Sequence, residues 1–352
     1  MAEVTSYSTD IQHVSQLDLP WQQLDQCNIL ITGATGLIGS CLVEVLMNRK
    51  GRTYHVYACG RNKGRAEQRF ADYIDDPAFH FVRYDVLQPL QCDTHFQYII
   101  HAASNASPNF FAQHPVEVMK SNFDGVCHLI DYGRTHGLQR FLYVSTGEVY
   151  GEGDGREFTE DYSGYVNPML SRNCYPSSKR ASETLCAAYA AEYGIDTLVV
   201  RPSHTYGPHF TESDNRVYAQ FIRNVLQGED IVMKSTGSQF RSWCYVVDCV
   251  SAILHVLLKG QSGEAYNIAD GASNISIRQL AEMIAEIGDR RVIIQLPSDA
   301  EKAGYNLVTK SVFSTQKLEA LGWSPMHTMR ENMEATIKEK TPSNSPRGKD
   351  PL

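Results

Sequence analysis

The stretch Ile31-Thr-Gly-Ala-Thr-Gly-Leu-Ile-Gly39 sets Gly33, Gly36 and Gly39 at G-x-x-G-x-x-G spacing. The apolar run Ile29-Leu-Ile-Thr32 precedes it, and the helix-like pattern Leu42-Val-Glu-Val-Leu46 follows. Strand, glycine turn and helix in that order form a dinucleotide cradle. Glycine permits the tight turn and lets the backbone approach a pyrophosphate, and the helix start turns unpaired N–H groups and a partial positive charge on that anion. The glycine pattern alone is a weak signal, since an ordinary turn between strand and helix can also carry it. It gains weight from its flanks and from Tyr175-Pro-Ser-Ser-Lys179 far downstream.

Tyr175 and Lys179 are four apart, and Pro176 is tolerated in a first helical turn, so both side chains share one helix face. A free tyrosine has a pKa near 10 and is a poor base at neutral pH. A neighbouring ammonium and an oxidised nicotinamide both favour the phenolate, which can then remove a hydroxyl proton while hydride leaves the same carbon. An isolated Y-x-x-x-K reads as a surface pair on a helix. Here it follows the cradle and a strand ending Val144-Ser-Thr146. Glu148, two residues beyond Thr146, falls where open α/β sheets bind ligands.

Short apolar runs at 28–32, 54–58, 79–84, 97–102, 140–145 and 196–201 alternate with helix-period segments around 38–49, 115–137 and 176–193. That alternation predicts a doubly wound, parallel, Rossmann-like α/β sheet with right-handed crossovers. After Arg201 the rhythm breaks into proline- and glycine-rich sequence with a helix at Val217–Leu226, another after Asp248, a strand at Tyr266–Ala269 and a helix over Ile277–Ile287 capped by Ser276. The expected organisation is a loosely packed polar leader over 1–27, a dinucleotide-binding domain over 28–201 plus 246–269, a smaller α/β substrate-binding lobe over 202–245 plus 270–340, and a disordered tail over 341–352.

The 352 residues are 42% hydrophobic and carry a net charge of −8 with scattered cations, which argues against a nucleic-acid partner. No apolar run approaches the roughly 20 residues that span a bilayer, and the first residues lack a signal-peptide pattern. Nine dispersed cysteines with no C-x-x-C pair point to no metal site, no disulfide frame and a reducing cytoplasm.

The chain resembles the extended short-chain dehydrogenase/reductase family: nucleotide-sugar epimerases, dehydratases and decarboxylases. The resemblance rests on the glycine turn, Asp85-Val86, Ile99-Ile-His-Ala-Ala103, Asn122, Ser145-Thr-Gly-Glu-Val-Tyr-Gly151, Tyr175-x-x-x-Lys179, Arg201-Pro-Ser-His-Thr-Tyr-Gly-Pro208 and Arg241-Ser-Trp-Cys-Tyr-Val-Val-Asp248. It implies cofactor contacts from Gly33, Thr35, Gly36, Leu37, Ile38, Arg61, Asp85, Val86, Ala102, Ala103, Asn122, Tyr175 and Lys179. It implies catalysis by Thr146, Glu148, Tyr175 and Lys179, and substrate contacts from Ser107, Arg172, His204, Arg216 and Arg241.

Within that family it looks most like the UDP-glucuronate decarboxylases, through Ala103-Ser-Asn-Ala-Ser-Pro108, Asn167-Pro-Met-Leu-Ser-Arg-Asn-Cys-Tyr175 and Asn215-Arg-Val217. The implied reaction oxidises C4 of the sugar, loses carbon dioxide from C5 and returns the hydride to C4. Gly147 stands where such enzymes carry serine, and His204 where they carry asparagine. Epimerisation of a UDP-hexose or UDP-uronic acid is the alternative, and a non-catalytic dinucleotide sensor a distant one. The implied cofactor is NAD. NADP stays open, because Arg61 follows the second strand where an acid would bind the ribose 2′-hydroxyl. Pairing through the helices at 115–137 and 176–193 implies a homodimer.

Overall fold

The six early apolar runs and the Tyr266–Ala269 stretch become one seven-stranded sheet. Its strands are β1 (Asn28–Thr32), β2 (His55–Gly60), β3 (Phe79–Arg83), β4 (Tyr98–His101), β5 (Arg140–Val144), β6 (Thr197–Pro202) and, after three strands of the smaller lobe, β10 (Ala265–Ile268). Their order is β10-β6-β5-β4-β1-β2-β3, and every pairing is parallel. The order reverses between β1 and its neighbours β2 and β4, which opens a crevice at the carboxyl ends of the strands. The structure, a computed structural model, describes residues 5–211, 214–295 and 310–341.

The run Ile29-Leu-Ile31 is apolar at every position because both faces of β1 are covered. Ile29 and Ile31 pack into a core with residues of α1 (Tyr7–Ser15), α2 (Leu37–Asn48) and α8 (Val246–Lys259). Leu30 points the other way, into a core with Val126, Leu129 and Ile130 of α5 (Pro115–Thr135) and Cys186 and Tyr189 of α6 (Cys174–Tyr193). All three β1 side chains are fully buried, each contributing roughly 1.5–3 kcal/mol of burial free energy.

In the smaller lobe, β9 (Phe240–Tyr245) pairs with β7 (His204–Tyr206) and β13 (Lys310–Ser311) in parallel and with β11 (Asp270–Ser276) antiparallel. β8 (Ile231–Met233) pairs with β12 (Val292–Ile294). α7 (Val217–Leu226) and α9 (Ile277–Ile287) pack together in this lobe. The α9 cap is reciprocal: Ser276 Oγ accepts from Gln279 N at 3.1 Å, and Gln279 Oε1 accepts from Ser276 N at 2.8 Å.

The leader is a correction. Within it, α1 is capped by Ser6 and buries Tyr7, Ile11 and Val14 in the main core, with Trp21 and Leu24 behind it. Its polar average hides an i, i+4, i+7 apolar stripe that packs on α2 and α8. α10 (Gln316–Glu319) packs on α8 and β10, and α11 (Met329–Lys340) touches α1, α7, α9 and β9. The C-terminal part of the expected lobe thus ties both halves together. The expected tail lies, from residue 342 on, outside the described residues. No helix among the described residues is long and apolar enough to cross a membrane.

Candidate active site

A cleft of about 500 Å³ runs along the carboxyl ends of β1, β2, β4 and β5. Of the expected cofactor residues, Gly33, Thr35, Gly36, Leu37, Ile38, Arg61, Asp85, Val86, Ala102, Ala103, Tyr175 and Lys179 all line it. Gly33 has φ +67°, and a Cβ there would sit 2.7 Å from Ala102 O. A Cβ on Gly39 would overlap the Gly33 carbonyl, so that glycine serves close helix–strand packing. Gly36 is the start of α2 and meets only Gly33 O, at 3.2 Å, leaving its cleft side clear for a diphosphate. These residues fit a dinucleotide.

Asn122 does not line the cleft. It is buried one layer behind, accepting from Ser104 Oγ at 2.8 Å and donating to Ser178 Oγ at 3.0 Å, and so joins the cleft wall to α6.

α6 carries Tyr175 in its first turn and Lys179 one turn on. Both are buried. Phe111, from the short α4 (Pro108–Gln113), stacks on the Tyr175 ring at 4.5 Å and 15°. Burial and the nearby Glu148 charge push the Tyr175 pKa up, while hydrogen bonding from Thr146 and Ser104 and the Arg216 charge pull it down. Lys179 Nζ donates to Val144 O at 2.9 Å and lies 5.8 Å from the Tyr175 ring centroid. Burial lowers its pKa to about 7, against the partial support of Glu183.

The end of β5 is braced by a chain of polar contacts. Ser145 Oγ donates to Glu183, which is doubly paired with Arg201 at 2.7 to 3.2 Å. Thr146 follows and caps the turn carrying Glu148, accepting from Glu148 N at 3.3 Å. Arg172 grips the Glu148 carboxylate through two nitrogens, at 2.9 and 3.2 Å, and its guanidinium lies 5.4 Å from the Phe111 ring.

Gly147, in the turn after β5, has a steric cause. A Cβ there would overlap the Phe313 ring, which belongs to a buried aromatic cluster with Tyr150 and Phe158. A serine at this position needs Phe313 elsewhere.

The expected substrate residues divide. Ser107 and Arg216 line the cleft. Arg216 is fixed by Asp214 at 2.6 to 3.1 Å and donates to Thr205 O at 3.2 Å. Arg172, His204 and Arg241 lie outside its lining. His204 begins β7 beside Trp243, with ring centroids 5.2 Å apart. Its pKa is lowered by the surrounding protein and by the charges of Arg241 and Arg216. Arg241 is buried in β9; burial lowers its pKa, and the Glu148 charge offsets only part of that. Arg216 thus reaches the cleft from the smaller lobe and its charge acts on Tyr175, while Arg172 adjoins Tyr175 through the Phe111 ring.

Sequence reading missed Ser104, Phe111, Arg65 and His209, which line or brace the site. Ser104 was within reach as the residue after Ala103 at a strand end. Phe111 carried no signal, because only the fold of α4 brings it onto Tyr175.

The sequence matches the NAD dependent epimerase/dehydratase family over residues 29–269. It is 34% identical to UDP-glucuronic acid decarboxylase 6 of Arabidopsis thaliana, over 87% of this chain and 86% of that protein. It is 31% identical to UDP-glucuronic acid decarboxylase 1 of Xenopus tropicalis, over 89% of this chain and 72% of that protein. Among solved structures, the UDP-glucose 4-epimerase of Thermotoga maritima with UDP-glucose superposes with TM-score 0.75 at 25% identity, covering 89% of this chain and 98% of that one. A dTDP-glucose 4,6-dehydratase of Bacillus anthracis, in complex with NAD, shares the fold with TM-score 0.75 at 23% identity, over 89% and 96% of the two chains. On the family match, the glycine turn and the Tyr175–Lys179 face together, this chain belongs to the NAD dependent epimerase/dehydratase family.

Proposed function

We propose that the chain is an NAD-dependent enzyme that decarboxylates a UDP-linked uronic acid, UDP-glucuronate, through a transient 4-keto sugar. The observation that carries this reading is Tyr175 and Lys179 lining the cleft with the Glu148–Arg172 pair adjoining Tyr175, the carboxylate through its charge and the guanidinium through the Phe111 ring. The relatives named above supply the substrate class.

The nicotinamide, when bound, accepts hydride from sugar C4 and later gives it back. Tyr175 Oη takes the proton of the C4 hydroxyl, with Thr146 and Ser104 as its hydrogen-bond partners. Lys179 supplies positive charge under the ring. The resulting ketone is β to the C6 carboxylate. The C5–C6 bond then breaks, carbon dioxide leaves, and the electron pair flows to the C4 oxygen, where Tyr175 can return its proton. A proton adds at C5 before the hydride returns. Arg172 and Arg241 hold the uronate carboxylate near Glu148, and Arg216 and His204 hold the diphosphate.

One observation favours the alternative, a UDP-sugar 4-epimerase: Gly147 and Phe313 remove the hydroxyl that the decarboxylase pattern places beside Glu148. Incubating the full chain with UDP-glucuronate, in parallel with NAD and with NADP, separates the two. Carbon dioxide and a UDP-pentose support decarboxylation. A surviving uronic acid with inverted C4 supports epimerisation.

The nine unpaired thiols fit a reducing compartment such as the cytoplasm. A homodimer through α5 and α6 is also part of this reading. These helices pack together, and α5 exposes Val116, Met119 and Phe123 at i, i+3, i+7 spacing, an apolar stripe suited to a second copy.

A further inference from the structure

At the end of β2 the chain reads Cys59-Gly-Arg-Asn-Lys-Gly-Arg65. In dinucleotide folds an acidic side chain about 20 residues beyond the glycine turn binds the ribose 2′-hydroxyl of NAD, and an arginine nearby accommodates a 2′-phosphate. Here the β2 end is Gly60. Its lack of a side chain is not forced by space. A Cβ there would meet only the Phe81 ring and the Thr35 side chain, at the ordinary contact distances of 3.8 and 3.9 Å.

Two arginines surround that gap. Arg65 donates from Nη2 to Thr35 O at 3.0 Å, which lays its guanidinium across the glycine turn. Its own backbone N–H is held by Asn62 Oδ1 at 3.0 Å, so the turn that aims it is fixed. Arg61 lines the same end of the cleft, together with Gly60 and Thr35. Two acids, Asp85 and Glu117, also line the cleft. Glu117 reaches Arg61 only at 3.9 Å, between exposed groups, and Asp85 turns one oxygen to Leu87 N at 3.1 Å. A 2′-hydroxyl finds no acceptor at Gly60, whereas a phosphate dianion finds two planar five-donor cations.

We propose that Arg61 and Arg65 form a subsite for a phosphate on the adenosine ribose, so that this chain binds both dinucleotides and holds NADP more tightly than NAD. The proposal rests on the reading that the cleft holds a dinucleotide, and adds which form it prefers. Both arginines are exposed, so the preference is sensitive to salt.

Calorimetric titration of the full chain with NAD and with NADP tests it. NADP is expected to bind about tenfold tighter or better at low ionic strength, as charge-assisted pairs at one phosphate provide, with the gap narrowing as salt is added. Replacing both Arg61→Ala and Arg65→Ala should abolish the gap by weakening NADP. Gly60→Asp should reverse the order by strengthening NAD and repelling the phosphate. Unfolding midpoints identify any variant that fails to fold. Equal or tighter binding of NAD by the natural chain overturns the proposal, as does NADP affinity unmoved by the double substitution. If neither dinucleotide binds, the dinucleotide reading falls and the subsite with it.

Discussion

Arg172 holds both carboxylate oxygens of Glu148, at 2.9 and 3.2 Å, on the flank of a buried phenol whose ionisation that carboxylate opposes. The pair is partly exposed, so its contribution to stability is about 1 kcal/mol or less. Its consequences lie in chemistry. Arg172→Ala leaves the Glu148 charge uncompensated beside Tyr175 and removes a cation from the sugar end. Turnover of UDP-glucuronate should fall by about 100-fold, a typical loss for misplaced positioning groups, while the unfolding midpoint moves little. Steady-state kinetics alongside thermal unfolding check this. A large midpoint drop with unchanged turnover would make the pair a structural brace.

Tyr175→Phe keeps the stacking on Phe111 and removes only the proton acceptor. Turnover should fall by roughly 10²–10⁴-fold, the usual worth of a positioned acid–base group, with dinucleotide affinity nearly unchanged. Calorimetry and product formation measured on the same preparation check both halves.

Lys179 predicts a stability effect with a definite sign. Burial lowers its folded pKa to about 7 from the ordinary 10.5. Between those values the unfolded chain binds the extra proton, so this group makes the protein more stable as pH rises from about 7, at up to roughly 1.4 kcal/mol per pH unit. Lys179→Met should flatten that rise, stabilise the fold at pH 6 and abolish turnover. Denaturant unfolding from pH 6 to 9 checks it. An identical pH slope in the variant would show that the folded pKa of Lys179 is not lowered by burial.

Gly147→Ser tests the packing that separates this chain from the decarboxylase pattern. The new side chain must displace the Phe313 ring, so a loss of about 1–3 kcal/mol is expected, as for other overpacked sites. Adding Phe313→Ala should recover part of the serine's penalty. The non-additivity of a double-mutant cycle is the readout.

Much of this arrangement was legible in the sequence because it follows from local pattern. Six short apolar runs and the strand-like Tyr266–Ala269 marked the seven parallel strands, the glycine turn marked the switch point, and Ser276 marked the start of α9. Helix spacing alone put Tyr175 and Lys179 on one face. What stayed hidden depends on distant segments meeting. Phe111 reaches Tyr175 from a six-residue helix, and Phe313 reaches Gly147 from the far C-terminal part of the chain. Asn122 showed the opposite failing: its motif suggested cofactor contact, yet it works behind the wall through Ser104 and Ser178. The leader was misjudged because a short amphipathic helix with a polar average looks like loose chain until its apolar stripe finds α2 and α8.

Transient oxidation at sugar C4 at the Tyr175 end of the cleft, followed by loss of carbon dioxide, leaves a mark on a labelled substrate. Supplying UDP-glucuronate deuterated at C4, with a substoichiometric amount of dinucleotide, tests it most directly. Many turnovers per dinucleotide, release of carbon dioxide, and a UDP-pentose that retains deuterium at C4 by mass spectrometry and NMR are the expected outcome. Recovery of unchanged uronic acid, or a pentose whose C4 deuterium has washed out to solvent, would contradict it.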